Sequence, residues 1–366
     1  MNSTNRITPL PAFRLYALIT MSAMLGLSLI TSDLYTTDFI PLQVIFLVLC
    51  FFSLYLALYA FERGGYHGII HGLDRCFTPI ISKIILAVIS LYFIVQASLC
   101  IYTQAEMIKL NILAQTPDDI IIITLALTSA FLFYTGLRQL AGTAQLLLFI
   151  IAPFIILLLI FGLVRCDFDE IRVVFDITQP KSIFGSLEAS CALWGIEAIL
   201  FFLGTKRYIG KTRTAVLTGF FTVFAVFILS FLITVGTFTL EGASGLMFPL
   251  SEMSRVINIG SMAMTERFDI LFIFIQIIGT VIKTAIAMYC AAVGLGGMSG
   301  MKSHRCFSML LLPAVVLGAA ACSVFDLSEL FTDICAIGFC AILFVITPIF
   351  AVITFITSKR SGHPNA

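Results

Sequence analysis

Two ionisable residues stand inside long apolar stretches of this sequence. Glu197 lies within Trp194-Gly195-Ile196-Glu197, and Lys283 lies within Gly279-Thr280-Val281-Ile282-Lys283-Thr284. A charge in hydrocarbon is costly, so each marks a place where protein, proton or ligand must answer it. Glu197 falls about 13 residues, and Lys283 about 15, beyond the start of its apolar stretch. At about 1.5 Å of rise per residue these counts put the two at similar depths, roughly 20 and 22 Å. At that depth they could form an ion pair. Such a pair either fixes helix register without touching a ligand or couples to a ligand or proton, and the residue types leave both open.

The surroundings of these residues are rich in small side chains. Glu188 precedes Glu197 by nine positions, which at about 100° per residue places them on opposite faces of a continuous helix. Only an interruption within Ala189 to Gly195 lets both line one cavity, although small residues also serve close helix packing. An earlier stretch, Thr20-Met21-Ser22-Ala23-Met24-Leu25-Gly26-Leu27-Ser28, has the same character. If both stretches are broken helices, N–H groups near Ser22, Ala23, Met24 and Gly26 would hold a carboxylate. Carbonyls near Trp194 would then hold an ammonium, the geometry of a free amino acid. A kinked packing helix is the other reading. Gln96, Tyr102, Gln104 and Glu106 form one further polar stripe or two, with Gln96 the deepest.

His67 and His71 have a four-residue spacing that can bind metal on a helix. Glycines flank them at 64, 65, 68 and 72, no third ligand is evident, and no metal site is expected. No nucleophile-base constellation, Walker motif or glycine-rich nucleotide fingerprint appears, so neither an enzyme nor a cofactor is expected. Ten cysteines are scattered without a C-x-x-C pair and read as small apolar packing residues.

The elements that position these groups follow from composition. Of 366 residues, 60% are hydrophobic and 11% charged, against about a quarter charged in soluble domains, which excludes a soluble globule. Stretches such as 145–164 are apolar on every face, which excludes the alternation of a membrane β-barrel. Polar breaks predict ten helical spans in one membrane domain, 1–366: 12–31, 40–61, 80–108, 119–135, 143–164, 184–203, 215–238, 268–293, 307–325 and 331–357. With the N-terminus inside, fourteen basic residues fall on inner segments and six on outer ones. That asymmetry predicts cytoplasmic termini. Inner groups such as Arg63, Arg75 and Lys206-Arg207 with Lys211 and Arg213 read most simply as topology determinants beside anionic lipid, with partner binding the other reading for the Lys206 to Arg213 group, and no nucleic-acid partner is implied. The N-terminal residues 1–11 lack a signal-peptide pattern, so the first apolar run is expected to stay. Two outer loops, 165–183 and 239–267, are longer than the rest. In the second, Pro249, Met253, Val256 and Ile257 have helical spacing with Glu252 and Arg255 opposite, which predicts a short amphipathic helix on the outer surface.

Several segments resemble the GerB-type B subunit of bacterial spore germinant receptors, a branch of the amino acid, polyamine and organocation transporter superfamily. They are Gly195-Ile196-Glu197, Gly136-Leu137 to Gln145, and Pro249, Glu252 and Arg255 with Glu266-Arg267-Phe268-Asp269 leading through Lys283 to Leu295. The similarity runs from about Ile7 to Ile356. The resemblance implies an all-α fold similar to LeuT, with five-plus-five inverted repeats. It further implies a complex with an A subunit and a lipoprotein C subunit, residence in the spore inner membrane, and a response to small nutrients such as amino acids. The expected ligand site combines Ser22, Ala23, Met24, Gly26, Gln96, Trp194, Gly195 and Glu197, with Glu197 and Lys283 coupling it. The alternative expectation is a proton-coupled secondary amino-acid transporter in which Glu197 exchanges the proton.

Overall fold

The computed structural model describes residues 12–24, 39–64, 66, 68–169, 194–203, 209–256, 268–300 and 307–360, without the side chains of 22–24, 39–42, 209–211, 256, 268–269, 308–309 and 358–360. The described residues are helical and contain no strand. They form α1 (Ala12–Met24), α2 (Phe39–Gly64), α3 (Ile69–Cys76), α4 (Pro79–Asn111), α5 (Asp118–Thr135), α6 (Leu137–Arg165), α7 (Ile199–Phe202) and α8 (Ile209–Phe238). The series continues with α9 (Leu240–Ser244), α10 (Pro249–Val256), α11 (Phe268–Ser299), α12 (Ser308–Phe325), α13 (Ser328–Cys340) and α14 (Thr347–Arg360). A 3₁₀ turn, Ile196–Ala198, leads into α7, and a π-helical turn, Ala341–Ile346, joins α13 to α14. The Thr347 hydroxyl donates to Ile342 O, five residues back, at 2.8 Å.

Seven stretches are long and apolar enough to cross a membrane: Gln43–Gly64, Pro79–Asn111, Asp118–Thr135, Leu137–Arg165, Thr212–Phe238, Ile270–Ser299 and Ser328–Thr357. Two shorter apolar helices, Ala12–Met21 and Leu310–Phe325, accompany them among the described residues. The chain is a multi-pass helical membrane protein. The first expected span is described only as α1, and the sixth only from Trp194 onward.

Lipid is as apolar as leucine, so helices here associate through close packing rather than through expulsion of water. The glycines show where that packing is closest. A Cβ added at Gly294 of α11 would land on Ser90 of α4, one at Gly318 of α12 on Ser98, and one at Gly338 of α13 on the Tyr92 ring. The centre of the molecule is therefore α4, with α11 against it along most of its length and α12 and α13 on its other sides. In the most apolar windows of α4 and α11, 61% is buried inside the protein against 28% in α6, which places α6 at the lipid-facing edge. There Leu146, Phe149, Ile150, Ile156, Ile160 and Val164 are exposed.

Gly136 alone separates α5 from α6. Its φ of +94° suits a residue without Cβ. Its N–H donates to Phe133 O at 3.0 Å, and its carbonyl accepts from Gln139 N at 3.1 Å and Leu140 N at 3.0 Å, so one residue caps two helices. At the other end of α5, Asp118 pairs with Lys109 from the end of α4 at 2.6 Å. The expected amphipathic helix is α10, with Pro in its first turn, where a missing N–H is harmless. Its Arg255 bonds Glu252 at 2.8 Å and Asn111 at 2.5 Å. Leu250 and Met253 are buried, and Met253 Sδ lies 3.6 Å from Thr234 Oγ1 of α8. The apolar face thus rests on protein, because α6 and α8 offer it a ready groove at Gly162 and Thr234.

Candidate functional site

The site begins with a turn in the backbone. Trp194 and Gly195 form a turn, Gly195 has φ +110° and ψ −17°, and only after the 3₁₀ turn does α7 start. A residue with Cβ is strained in this conformation, so glycine suits the turn that precedes the helix. The Gly195 N–H donates to both carboxylate oxygens of Glu197, at 3.0 Å and 2.9 Å.

The rest of the carboxylate's shell comes from α4. Tyr92 Oη donates to Glu197 Oε1 at 2.6 Å and Gln96 Nε2 donates to the same oxygen at 3.1 Å. One helical turn separates the two donors, so they share a face. Glu197 is fully buried and yet has three donors around it. Trp194 is buried beside it, and its Nε1 has no hydrogen-bond partner among the described residues.

Lys283 does not complete this shell. Its Nζ is buried without a hydrogen-bond partner among the described residues, and the ion pair with Glu197 that equal depth suggests is not formed. Depth along a span says nothing about azimuth, and α4 intervenes with neutral donors of its own. The two charges nevertheless share surroundings, since Cys100 of α4 and Cys335 of α13 lie in the field of both. On α11, Gln276, Thr280, Lys283 and Thr284 have the spacing of one face, and all are buried. The Thr280 hydroxyl donates to Gln104 Oε1 at 2.9 Å, joining this stripe to that of α4.

The polar residues of α4 therefore divide into two groups. Tyr92, Gln96 and Gln104 face the site. Tyr102 and Glu106 line a cavity of about 280 Å³ with Lys109, Asp118 and Ser323, between α4, α5 and α12. At the first span, α1 remains helical through Ser22, Ala23 and Met24. Their N–H groups are consumed inside the helix, and its last turn leaves carbonyls over instead of the N–H groups expected there. Gly26, Glu188 and His67 lie outside the described residues, while His71 packs edge-on against Tyr66 with ring centroids 6.2 Å apart.

Three contributors escape a reading by residue type. Tyr92 and Thr284 look like ordinary members of apolar helices, and Gly338 acts only through Tyr92. The available signal is the step of four from Tyr92 to Gln96. Gly338→Ala should press its new methyl onto the Tyr92 ring and weaken the bond to Glu197. Overpacking of this kind costs about 1 to 3 kcal/mol. A lowered midpoint of thermal unfolding in detergent is expected; an unchanged midpoint would mean that the ring relocates freely.

A multi-pass helical protein with a buried, hydrogen-bonded carboxylate in a glycine turn at the start of a helix is the class that this geometry defines. Residues 16–321 match the spore permease family of spore germination proteins, and the chain belongs to that family. It is 26% identical over 277 residues to spore germination protein A2 of Bacillus subtilis (strain 168), a match that spans 72% of this chain and 72% of that protein.

Proposed function

We propose that this chain is the B subunit of a spore germinant receptor and senses a small nutrient, an amino acid, between α1, α4, the 194–203 segment and α11. The observation that carries this reading is Glu197, a buried carboxylate held beside a glycine turn by Gly195, Tyr92 and Gln96. A glycine turn is where a backbone can change course at small cost, so ligand contact there can shift the population of two conformers. Partner A and C subunits would read that shift at the inner membrane of the spore.

The packing supports a ten-span, five-plus-five arrangement. Exchanging each span with the one five places later turns the contact of α2 with α14 into that of α8 with α6. It turns α12 on α4 into α5 on α11, and returns α4 with α11 and α5 with α12 to themselves; all of these contacts are present. Charge placement supports cytoplasmic termini. Arg14 of α1 bonds Gln145 near the start of α6, and Arg213 near the start of α8 lies 4.4 Å from the Tyr55 ring of α2. At the opposite end Lys109 pairs with Asp118.

The test is germination of spores lacking the gene, scored by loss of refractility over a panel of amino acids and sugars, with the gene restored as control. One nutrient response should vanish and return on complementation. Restoring the gene as Glu197→Gln should keep the protein in the membrane and shift the dose-response by about tenfold or more, the worth of a weakened charge-assisted shell. A response that Glu197→Gln leaves unmoved would count against a ligand-linked role. Uptake of labelled amino acid that collapses with a protonophore would favour the transporter instead.

A further inference from the structure

Lys283 is 3% exposed, and its three donors meet no acceptor among the described residues. Next to it, the Thr284 hydroxyl is fully buried and equally unbonded. Most buried polar groups are bonded, and two consecutive exceptions on one helix ask for a common cause. Among the described residues the acceptors around Glu197 and Gln104 are already used, and Gln276 Oε1, unbonded on the same face of α11, lies seven residues away, roughly 10 Å along the helix. Glu197 takes its hydrogen bonds from Gly195, Tyr92 and Gln96, and Gln104 Oε1 takes that of Thr280. The nearby Cys100 and Cys335 offer only thiols, which accept weakly. Nor does α1 present free N–H groups at Ser22 to Met24 for an anion.

One ligand chemistry answers an amine and a hydroxyl together, namely a carboxylate, with two oxygens and about four lone pairs. We propose that Lys283, with Thr284, receives the carboxylate of the nutrient, so that the site takes amino acids or other small carboxylates and not neutral sugars. This rests on the nutrient-sensor reading and names its substrate class. The anchor for the carboxylate is thus a side chain of α11 rather than the backbone of α1.

The sequence supplies its own reporter. Trp194 is the single tryptophan of the chain and is buried beside Glu197, so its emission reads the site alone. The full chain in lipid nanodiscs is titrated with the twenty common amino acids, with the amide of each one that binds, and with glucose and inositol. At least one amino acid should bind, and its amide should bind at least about tenfold more weakly, since a charge-assisted bond is lost. Lys283→Met should bring the acid-to-amide ratio close to one, while Lys283→Arg should retain a preference for the acid. Where Lys283→Met does not accumulate, the wild-type ratio and the Arg variant decide. An amide bound as tightly as its acid, an acid preference that survives in Lys283→Met, or binding of sugars alone would overturn the role of Lys283 and leave the sensor standing. Silence of Trp194 toward every probe would overturn the sensor and this inference with it.

Discussion

Glu197→Ala is expected to cost about 3 kcal/mol or more of stability and to lower the amount of protein in the membrane. The residue is the common acceptor of the Tyr92 hydroxyl, the Gln96 amide and the Gly195 N–H, in a place without solvent access. Truncation leaves three donors unanswered. Each orphaned buried donor costs about 1 to 3 kcal/mol, and the methyl left behind adds a cavity. Glu197→Gln should be milder. Its remaining oxygen can still accept from Tyr92 and Gln96, and only the new amide nitrogen confronts the Gly195 N–H. The order of thermal midpoints in detergent should therefore be wild type, then Gln, then Ala. Equal midpoints for Ala and wild type would show that water satisfies the three donors and that the carboxylate serves ligand alone.

Gly294→Ala should separate the two central helices. Its Cβ would fall on Ser90 Oγ and lie 3.2 Å from Leu86 O, a backbone atom that cannot step aside. Ser90 Oγ is itself committed, donating to Leu86 O at 2.6 Å. The expected cost is about 2 kcal/mol, as for other overpacked sites. Ser90→Ala removes the atom that collides first. The double variant Ser90→Ala, Gly294→Ala should therefore be more stable than the sum of the single effects by about 1 kcal/mol, a coupling typical of residues in contact. Strict additivity in a denaturation cycle would show that this close approach is not what holds α4 against α11.

What could be read in advance divides by the kind of information each feature needs. Apolar runs need only length, so Pro79–Asn111 and Leu137–Arg165 were legible as spans. Glu197, Gly195 and Gln96 were legible because a charge, a glycine and an amide are out of place in hydrocarbon. Tyr92 was not, since tyrosine inside an apolar helix is unremarkable until a carboxylate is seen beside it. The partner of Lys283 was misjudged for a related reason. Counting residues fixes depth, whereas contact needs azimuth, and azimuth depends on how α4 and α11 turn toward each other. The first span illustrates the opposite limit. Small residues at Ser22 to Met24 permit both a break and a helix, and composition alone does not choose between them. For α10 the spacing revealed the helix and its apolar face, but lipid and protein are equally good partners for such a face, and the groove decided.

The one-residue joint at Gly136 has a mechanical consequence. A joint of a single residue has no slack along the chain, so axial travel of α6 passes to α5 without backlash. Its glycine torsions, by contrast, are free enough to absorb tilt. On the near side α6 packs against α1, and on the far side α5 packs against α11 and α12. The two helices thus join α1, which packs beside the Ile196–Ala198 turn, to α11 and α12 through a link without slack.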